Sequence, residues 1–327
     1  MTRIAIIGGG MAGIVIARRL GVSAETTVFE KSRGVGGRIA TRYAGEFEFD
    51  HGAQFFTARS PDFQRFLQPL IDEGIVANWP ARFVEIERDR VTSEREWGTD
   101  LPHYVGTPRM NEIGKFLSRG LDIKLDTTIV SILREGGRWT MIDDANNAFG
   151  GYDWVVLTAP APQTAILAAD NPELKTLCNE RELLACFSLM LGFEVPLELP
   201  WQAAMVRSSD VSWVSVNSSK PGRKSPFTLV VHSTNEWASA HIDEDTDRVR
   251  EHLLGEASLV CGKDLRDGAY CQLHRWRYAN IAKQSGPTCF LNDETKLAAC
   301  GDWFVHGRIE AAFSSASDLA SQLGERL

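Results

Sequence analysis

The sequence predicts an α/β fold, and three observations carry the prediction. Residues 3–7 are a short β-branched run that reads as a buried parallel strand, followed at once by Gly8-Gly9-Gly10. Residues 11–20 carry Ile14, Ile16, Ala17 and Leu20 at helical spacing, and residues 26–29 read as a second strand ending at Glu30. Such a strand–helix–strand unit has the size of one crossover in a parallel sheet. Third, runs of parallel character stand at both ends of the chain and alternating, antiparallel-type runs stand in the middle. The pattern predicts a Rossmann-type domain split between the two ends, with a second domain of mostly antiparallel β-sheet plus helices inserted. The boundaries fall at 1–60, 126–165 and 290–327 for the first domain, and at 61–125 and 166–289 for the second.

Further along, residues 61–73 and 110–119 read as helices, the latter ending at Gly120. Residues 123–125 and 128–133 read as strands, with a turn at Gly136-Gly137 and a partner strand at 138–142. An apolar strand at 154–157 is closed by Ala159-Pro160, and 184–193 is long and apolar enough for a buried strand. Residues 211–216 and 227–232 alternate, 245–259 reads as an amphipathic helix, 296–300 as a strand and 311–327 as a helix. The sequence contains no repeat and no low-complexity segment.

Composition narrows the function classes. The 327 residues are 43% hydrophobic and 24% charged, which excludes a disordered chain, a collagen and a coiled coil. No stretch approaches the ~20 apolar residues of a membrane span. A net charge of −8 argues against a nucleic-acid partner, and an anionic ligand would need a local site. Cys178, Cys186, Cys261, Cys271, Cys289 and Cys300 form no C-x-x-C pair, so no metal site is expected. Scattered cysteines read as reduced, mostly buried thiols, and a cytoplasmic location is expected. Arg3 and the apolar run after it imitate a secretion signal, but the run carries four glycines and ends in Arg18-Arg19 without a cleavage site.

Gly8-x-Gly10-x-x-Gly13 follows a strand and opens a helix. The first glycine allows the tight turn, the second lets a pyrophosphate approach the backbone, and the third lets helix and strand pack closely. Amides at the helix start and the helix dipole favour phosphate there. Glu30 stands where an acid accepts hydrogen bonds from a ribose 2′-hydroxyl. Lys31-Ser32-Arg33-Gly34-Val35-Gly36-Gly37-Arg38-Ile39-Ala40-Thr41 then follows. Gly36-Gly37 would let amides lie near a second stretch of cofactor, and Arg38 would pair with the pyrophosphate. Read alone, this segment is equally a flexible basic loop.

With these motifs in place, the first forty residues resemble the FAD-binding start of the flavin amine oxidase superfamily. The resemblance implies that Gly8, Gly10, Ala12, Gly13, Glu30, Lys31, Gly37 and Arg38 bind FAD. It implies that the segment Phe49-Asp50-His51-Gly52-Ala53-Gln54-Phe55-Phe56-Thr57 lies beside the flavin, with Gln54 among the cofactor contacts. Residues 128–132 are similar to the strand whose backbone meets adenine, which puts Ile129 there, although an ordinary sheet strand fits equally. Cys300-Gly301-Asp302-Trp303 and Gly307-Arg308-Ile309-Glu310 are similar to the second flavin motif. Asp302 would bond a ribityl hydroxyl, and amides near Ile309 would face the pyrimidine edge, where a helix dipole favours the negative charge of reduced flavin.

Within that superfamily His51-Gly52-Ala53-Gln54, the run 229–238 and His274-Arg275-Trp276-Arg277-Tyr278-Ala279 resemble the renalase family and its bacterial relatives. The resemblance implies an FAD-dependent oxidase; a non-covalent flavin is expected, with covalent attachment left open. The oxidase would take hydride from 2- or 6-dihydronicotinamide dinucleotides, release NAD(P)+ and return the electrons to O2 as hydrogen peroxide. A dihydropyridine needs no general base, so the protein must bind and orient it. Phe55 and Trp276 are the candidate stacking residues, and Gln54 and His232 the candidate contacts to the nicotinamide. Their plainer readings are core packing for Phe55 and Trp276, the latter taken to follow an alternating strand, and a satisfied buried imidazole for His232. Arg275 and Arg277 would meet substrate phosphates or stand in solvent. Two other functions fit the motifs. An amine oxidase often uses a lysine-held water near the flavin, and the sequence identifies no such lysine. A non-catalytic binding protein on the same fold is disfavoured by the intact motifs. Cys300 reads as a buried thiol rather than a flavin attachment point. The sequence assigns no oligomeric state.

Overall fold

The computed structural model describes residues 1–168, 170–224 and 226–327. The fold is α/β, and the chain forms two compact units. Met1–Arg38, Gly114–Leu183 and Ile281–Leu327 build the first, and Ile39–Ile113 with Leu184–Asn280 builds the second.

The first unit is organised on a six-stranded sheet. Its order is Phe290–Asn292, Leu297–Ala299, Trp154–Leu157, Arg3–Ile7, Glu25–Phe29 and Asp122–Lys124. All neighbours run parallel except the edge strand Phe290–Asn292. Parallel strands are covered on both faces, which is why Ile4-Ala5-Ile6 is a continuous apolar run and fully buried. The helix Met11–Leu20 packs against the C-terminal helix Ile309–Gly324. A three-stranded meander, Ile129–Glu135, Arg138–Asp143 and Ala148–Tyr152, adds Trp139 and Met141 to the core around Val155, Leu157, Trp303 and Phe304.

The second unit carries a seven-stranded sheet. Its order is Tyr270–Asn280, Leu184–Phe193, Phe227–Ser233, Val211–Val216, Ala203–Arg207, Arg82–Glu87 and Arg90–Glu96. Pairing is antiparallel except between Ala203–Arg207 and Arg82–Glu87. Phe187, Leu189 and Leu191 point one face of the long strand into a core closed by Val249, Leu253 and Ala257 of the helix Thr246–Cys261. That helix is held at its start by Asp245, whose carboxylate accepts from the Asp247 and Arg248 amides, and it stops at Gly262 in the left-handed conformation. The helix Pro61–Asp72 is likewise capped by Ser60. Among the described residues no helix is long and apolar enough to cross a membrane.

Several sequence expectations are corrected. Residues 39–60, placed with the first domain, belong to the second unit, because Phe47 and Phe49 pack with Met190 and Val230. Residues 114–125 belong to the first unit, because Asp122–Lys124 pairs with Glu25–Phe29. Residues 166–183 and 281–289 also join it, through Leu174, Cys178 and Ile281 in its core. The helix expected at 110–119 is only Glu112–Leu117, and the last helix begins at Ile309 rather than 311. Trp276 lies inside the strand Tyr270–Asn280 rather than after one. Strands Arg82–Glu87 and Arg90–Glu96 escaped the sequence reading, since charged residues dominate the fully exposed edge strand.

Phe187 is fully buried at the centre of the second core, so Phe187→Ala leaves a large cavity. Urea unfolding is expected to show a loss of about 3–5 kcal/mol. A loss below about 1 kcal/mol would mean the site collapses and the core is not organised on this strand.

Candidate active site

In the first unit the three motif glycines have three distinct surroundings. Gly8 sits at φ +115°, and a Cβ there would lie 2.7 Å from Thr158 Oγ1. At Gly13 a Cβ would lie 1.8 Å from the Gly8 carbonyl oxygen, so only glycine lets the helix approach the strand this closely. At Gly10 a Cβ would meet nothing within 4 Å, which leaves open space over the helix start. Ala12 is buried beneath the same turn. Glu30 is buried, and its carboxylate accepts from the Gly9 amide at 2.6 Å and the Ser32 amide at 2.8 Å. Lys31 beside it is exposed.

The second glycine pair closes on the first. The Gly36 amide donates to the Gly9 carbonyl at 2.8 Å, Gly36 bridges Gly10, and Gly37 sits at φ +55°. Next to it Arg38 makes a two-pronged ion pair with Asp302, at 2.6 and 2.8 Å. Two groups expected to hold different parts of a cofactor therefore hold each other. Ile129 is buried at the start of its strand, and the residues before it tie back to the acid, Thr127 donating to the Glu30 carbonyl at 3.0 Å. Ile309 opens the last helix, whose preceding Arg308 gives no side-chain cap. These residues fit a dinucleotide such as FAD: an open glycine turn, a buried acid for ribose and an uncapped helix start.

In the second unit the sequence-derived candidates divide into two groups. Gln54, His232 and Trp276 belong to one polar cluster. Gln54 accepts from Lys220 Nζ at 3.1 Å and Ser215 Oγ at 2.8 Å, and donates to the Gly52 carbonyl at 3.0 Å. Its Nε2 lies 3.4 Å from His232 Nε2. Trp276 donates to the His51 carbonyl at 2.9 Å and stacks on the His51 ring, with His274 edge-on at 4.4 Å. Phe55 stands elsewhere, packed among Trp97, His103 and Trp213. Arg275 is engaged by the Glu244 carbonyl and Thr246, and Arg277 by Asp243, so both are tied to the surface between two helices.

The cluster is anchored by residues the sequence did not reveal. Asp50 is buried and accepts from Thr41 Oγ1 at 2.8 Å, the Met110 amide at 3.0 Å and Arg223 Nη2. Lys220 Nζ lies 3.5 Å from the same carboxylate and 5.5 Å over the Trp79 ring. Burial works against ionised Asp50, but Lys220 and Arg223 outweigh it and hold its pKa at about 2. Burial pushes Lys220 down to about 8, with Asp50 opposing. Burial also lowers His232 to about 4, helped by Lys220. It lowers His51 to about 3, helped by His274 and Arg42, and His274 to about 4, helped by Arg42. At neutral pH the imidazoles are uncharged, and two cations face one carboxylate. A buried lysine is thus present although the sequence identified none. Its context, Lys220-Pro221-Gly222-Arg223-Lys224, carries every mark of a solvated turn.

All six cysteines are free, and Cys300 is fully buried with its thiol pushed up by that burial. Among the described residues no cluster of three or more His, Cys, Asp or Glu side chains is arranged to hold a metal ion.

Comparison with known proteins agrees with this architecture. A family model described as an NAD(P)-binding Rossmann-like domain matches residues 6–70. A protein from Exiguobacterium sp. 255-15, provisionally named a protoporphyrinogen oxidase, superposes with a TM-score of 0.79 at 13% identity. The match covers 100% of this chain and 99% of that one. Wild-type putrescine oxidase bound to putrescine superposes with a TM-score of 0.72 at 11% identity, over 98% of both chains. A triple mutant of putrescine oxidase, redesigned for cofactor binding, gives 0.77 at 11%, over 100% of this chain and 99% of that one. At such identities the likeness shows a shared fold.

Two outcomes test the site. Gly13→Ala should lower stability by about 1–3 kcal/mol in thermal melts, whereas Gly10→Ala should leave the melt of flavin-stripped protein unchanged and weaken flavin retention. Equal melts for both variants would contradict the packing described. For Asp50, the folded pKa of about 2 lies below the unfolded value, so its stabilising contribution is complete above pH ~4 and lost as pH falls toward 2. Asp50→Asn should flatten that part of the stability–pH curve and cost about 3 kcal/mol at neutral pH. A curve for the variant parallel to wild type would refute the assignment.

Proposed function

We propose that the chain is a non-covalent FAD-dependent oxidase of 2- or 6-dihydronicotinamide dinucleotides. The observation that carries the substrate class is the sign of the polar cluster in the second unit. Lys220 and Arg223 face the single carboxylate of Asp50, and His51, His232 and His274 are held neutral. The net positive charge of this buried group disfavours a cationic amine nearby and suits an anionic dinucleotide. In the first unit, Gly10, Glu30, Arg38, Asp302 and the helix start at Ile309 would hold FAD. When bound there, FAD would supply the hydride-accepting and O2-reducing chemistry, with hydrogen peroxide as the product.

The chain's own task is orientation. Losing hydride restores aromaticity to the dihydropyridine ring, so no side chain has to remove a proton. Trp276, fixed by its bond to the His51 carbonyl, offers a flat wall. Gln54 has its amide oriented by Lys220 and Ser215 on the oxygen and by backbone carbonyls on the nitrogen, and with His232 it would meet the carboxamide. Fixing such groups before substrate arrives lowers the entropic barrier of the transfer. Cys300, buried and protonated, makes a covalent flavin unnecessary to the reading. Amine oxidation is the second reading, and buried Lys220 beside Trp79 is the feature that favours it.

Purified protein should absorb near ~450 nm, as bound oxidised flavin does; a colourless protein would leave only a binding role. Anaerobic mixing with 2-, 4- and 6-dihydro isomers and with putrescine should show fastest bleaching by the 2- or 6-isomer. Bleaching by putrescine alone would establish the amine reading instead. Trp276→Ala should slow reduction by the preferred substrate by about ten-fold or more while flavin is retained. An unchanged reduction rate would remove Trp276 from the site.

A further inference from the structure

Arg42 differs from three other arginines of the second unit, and from Arg275, which is held by the Glu244 carbonyl and Thr246. Arg109 meets Glu48, Arg223 meets Asp50 and Arg277 meets Asp243. Arg42, half-buried on the short strand Arg42–Ala44, has no carboxylate partner among the described residues. Among the described residues its polar side-chain contact is Nη2 to His274 Nδ1, at 3.5 Å. A guanidinium only donates, so Nδ1 accepts and the proton of the neutral imidazole sits on Nε2. His274 therefore presents a second donor beside the guanidinium. The His51 ring lies edge-on to His274 at 4.8 Å and stacks on Trp276 at 5.1 Å. His51 is 5% exposed, and its buried Nδ1 has no hydrogen-bond partner. A fixed positive charge, two imidazoles with unspent hydrogen-bonding atoms and a flat indole thus share one part of the second unit.

We propose that Arg42, with His274 and His51, is an anion site that takes the phosphate of a nicotinamide nucleotide while Trp276 faces its ring. The inference rests on the substrate class proposed above and adds the group that selects phosphorylated over unphosphorylated nicotinamides. Planar guanidinium donors match phosphate oxygens in pairs, and an unpaired half-buried arginine has this capacity unspent. His274 complements it as a neutral donor, and the unpartnered Nδ1 of His51 adds a second polar atom. Burial, with Arg42 adding to it, keeps both rings uncharged, so the positive charge stays localised on Arg42. A cationic ligand has no counter-charge here, while an anion meets charge and donors together. Arg42 contacts none of the residues that orient Gln54, so its removal should affect binding without disturbing that network.

The test uses the flavin-loaded protein and two probes, nicotinamide mononucleotide and nicotinamide riboside, which differ by one phosphate. Calorimetric titration of wild type should show the mononucleotide binding at least about ten-fold tighter, with a salt dependence the riboside lacks. Arg42→Met should abolish that difference and leave riboside affinity, flavin absorbance and melting temperature unchanged. Equal affinity of wild type for the two probes, or equal weakening of both by the variant, overturns the inference. If the variant fails to fold, the wild-type comparison and its salt dependence decide alone. Substrate class is read separately, from anaerobic flavin reduction by the dihydro isomers. Selective phosphate binding without any reduction would leave the anion site standing and remove the oxidase reading; reduction without phosphate selectivity would do the reverse.

Discussion

The second unit depends on one buried carboxylate. Asp50 collects the Thr41 hydroxyl, the Met110 amide and the Arg223 guanidinium, with Lys220 close by, and so joins segments far apart in sequence. Without it two cations would be left in a desolvated space, a state far costlier than the intact group. Its influence extends outward in steps. Lys220 is held where it can donate to Gln54, Gln54 is thereby oriented, and the oriented amide sets the polar surroundings of His232. A single ionised group thus determines the direction of the side chains expected to read a substrate.

Features of the sequence that act over a few residues were legible. The glycine turn, Glu30 and the second glycine pair announce themselves because backbone conformation and close approach constrain residue type locally. The long strand Leu184–Phe193 was visible for a similar reason, since burial on both faces leaves a run that is apolar but for Ser188 and Gly192. What pairs at a distance was not legible. Asp122–Lys124 is too short to declare which sheet it joins, and Phe47–Phe49 lies in a polar stretch whose apolar partners come from residues beyond 180. Lys220 and Arg223 look like turn residues in sequence, and only the tertiary fold turns them inward. Phe55 was read either as a flat wall for substrate or as a packing residue, and its neighbours are Trp97, His103 and Trp213, aromatic partners drawn from distant segments that no local pattern announces.

Charge reads differently at two scales. The whole chain carries −8, yet the interior of the second unit concentrates cations and suppresses protonation of its histidines. Local desolvation and local partners set the behaviour of each group, and distant surface acids are screened by water and salt. An acidic protein can therefore recognise anions, provided the recognising groups are sheltered together.

The ion pair between Arg38 and Asp302 joins residues 264 positions apart, and the sheet beneath it takes strands from both ends of the chain. A nascent chain emerging from the ribosome must therefore complete the whole inserted unit before the first unit can close. The N-terminal glycine turn waits, with its sheet lacking Leu297–Ala299, until that distant strand has been made. Such non-local closure is slow and leaves unpaired strand edges exposed in the interval. A ligand that engages both arms would act as a staple on this late step. Such a ligand would add to the stability of the closed unit by mass action, in proportion to its free concentration.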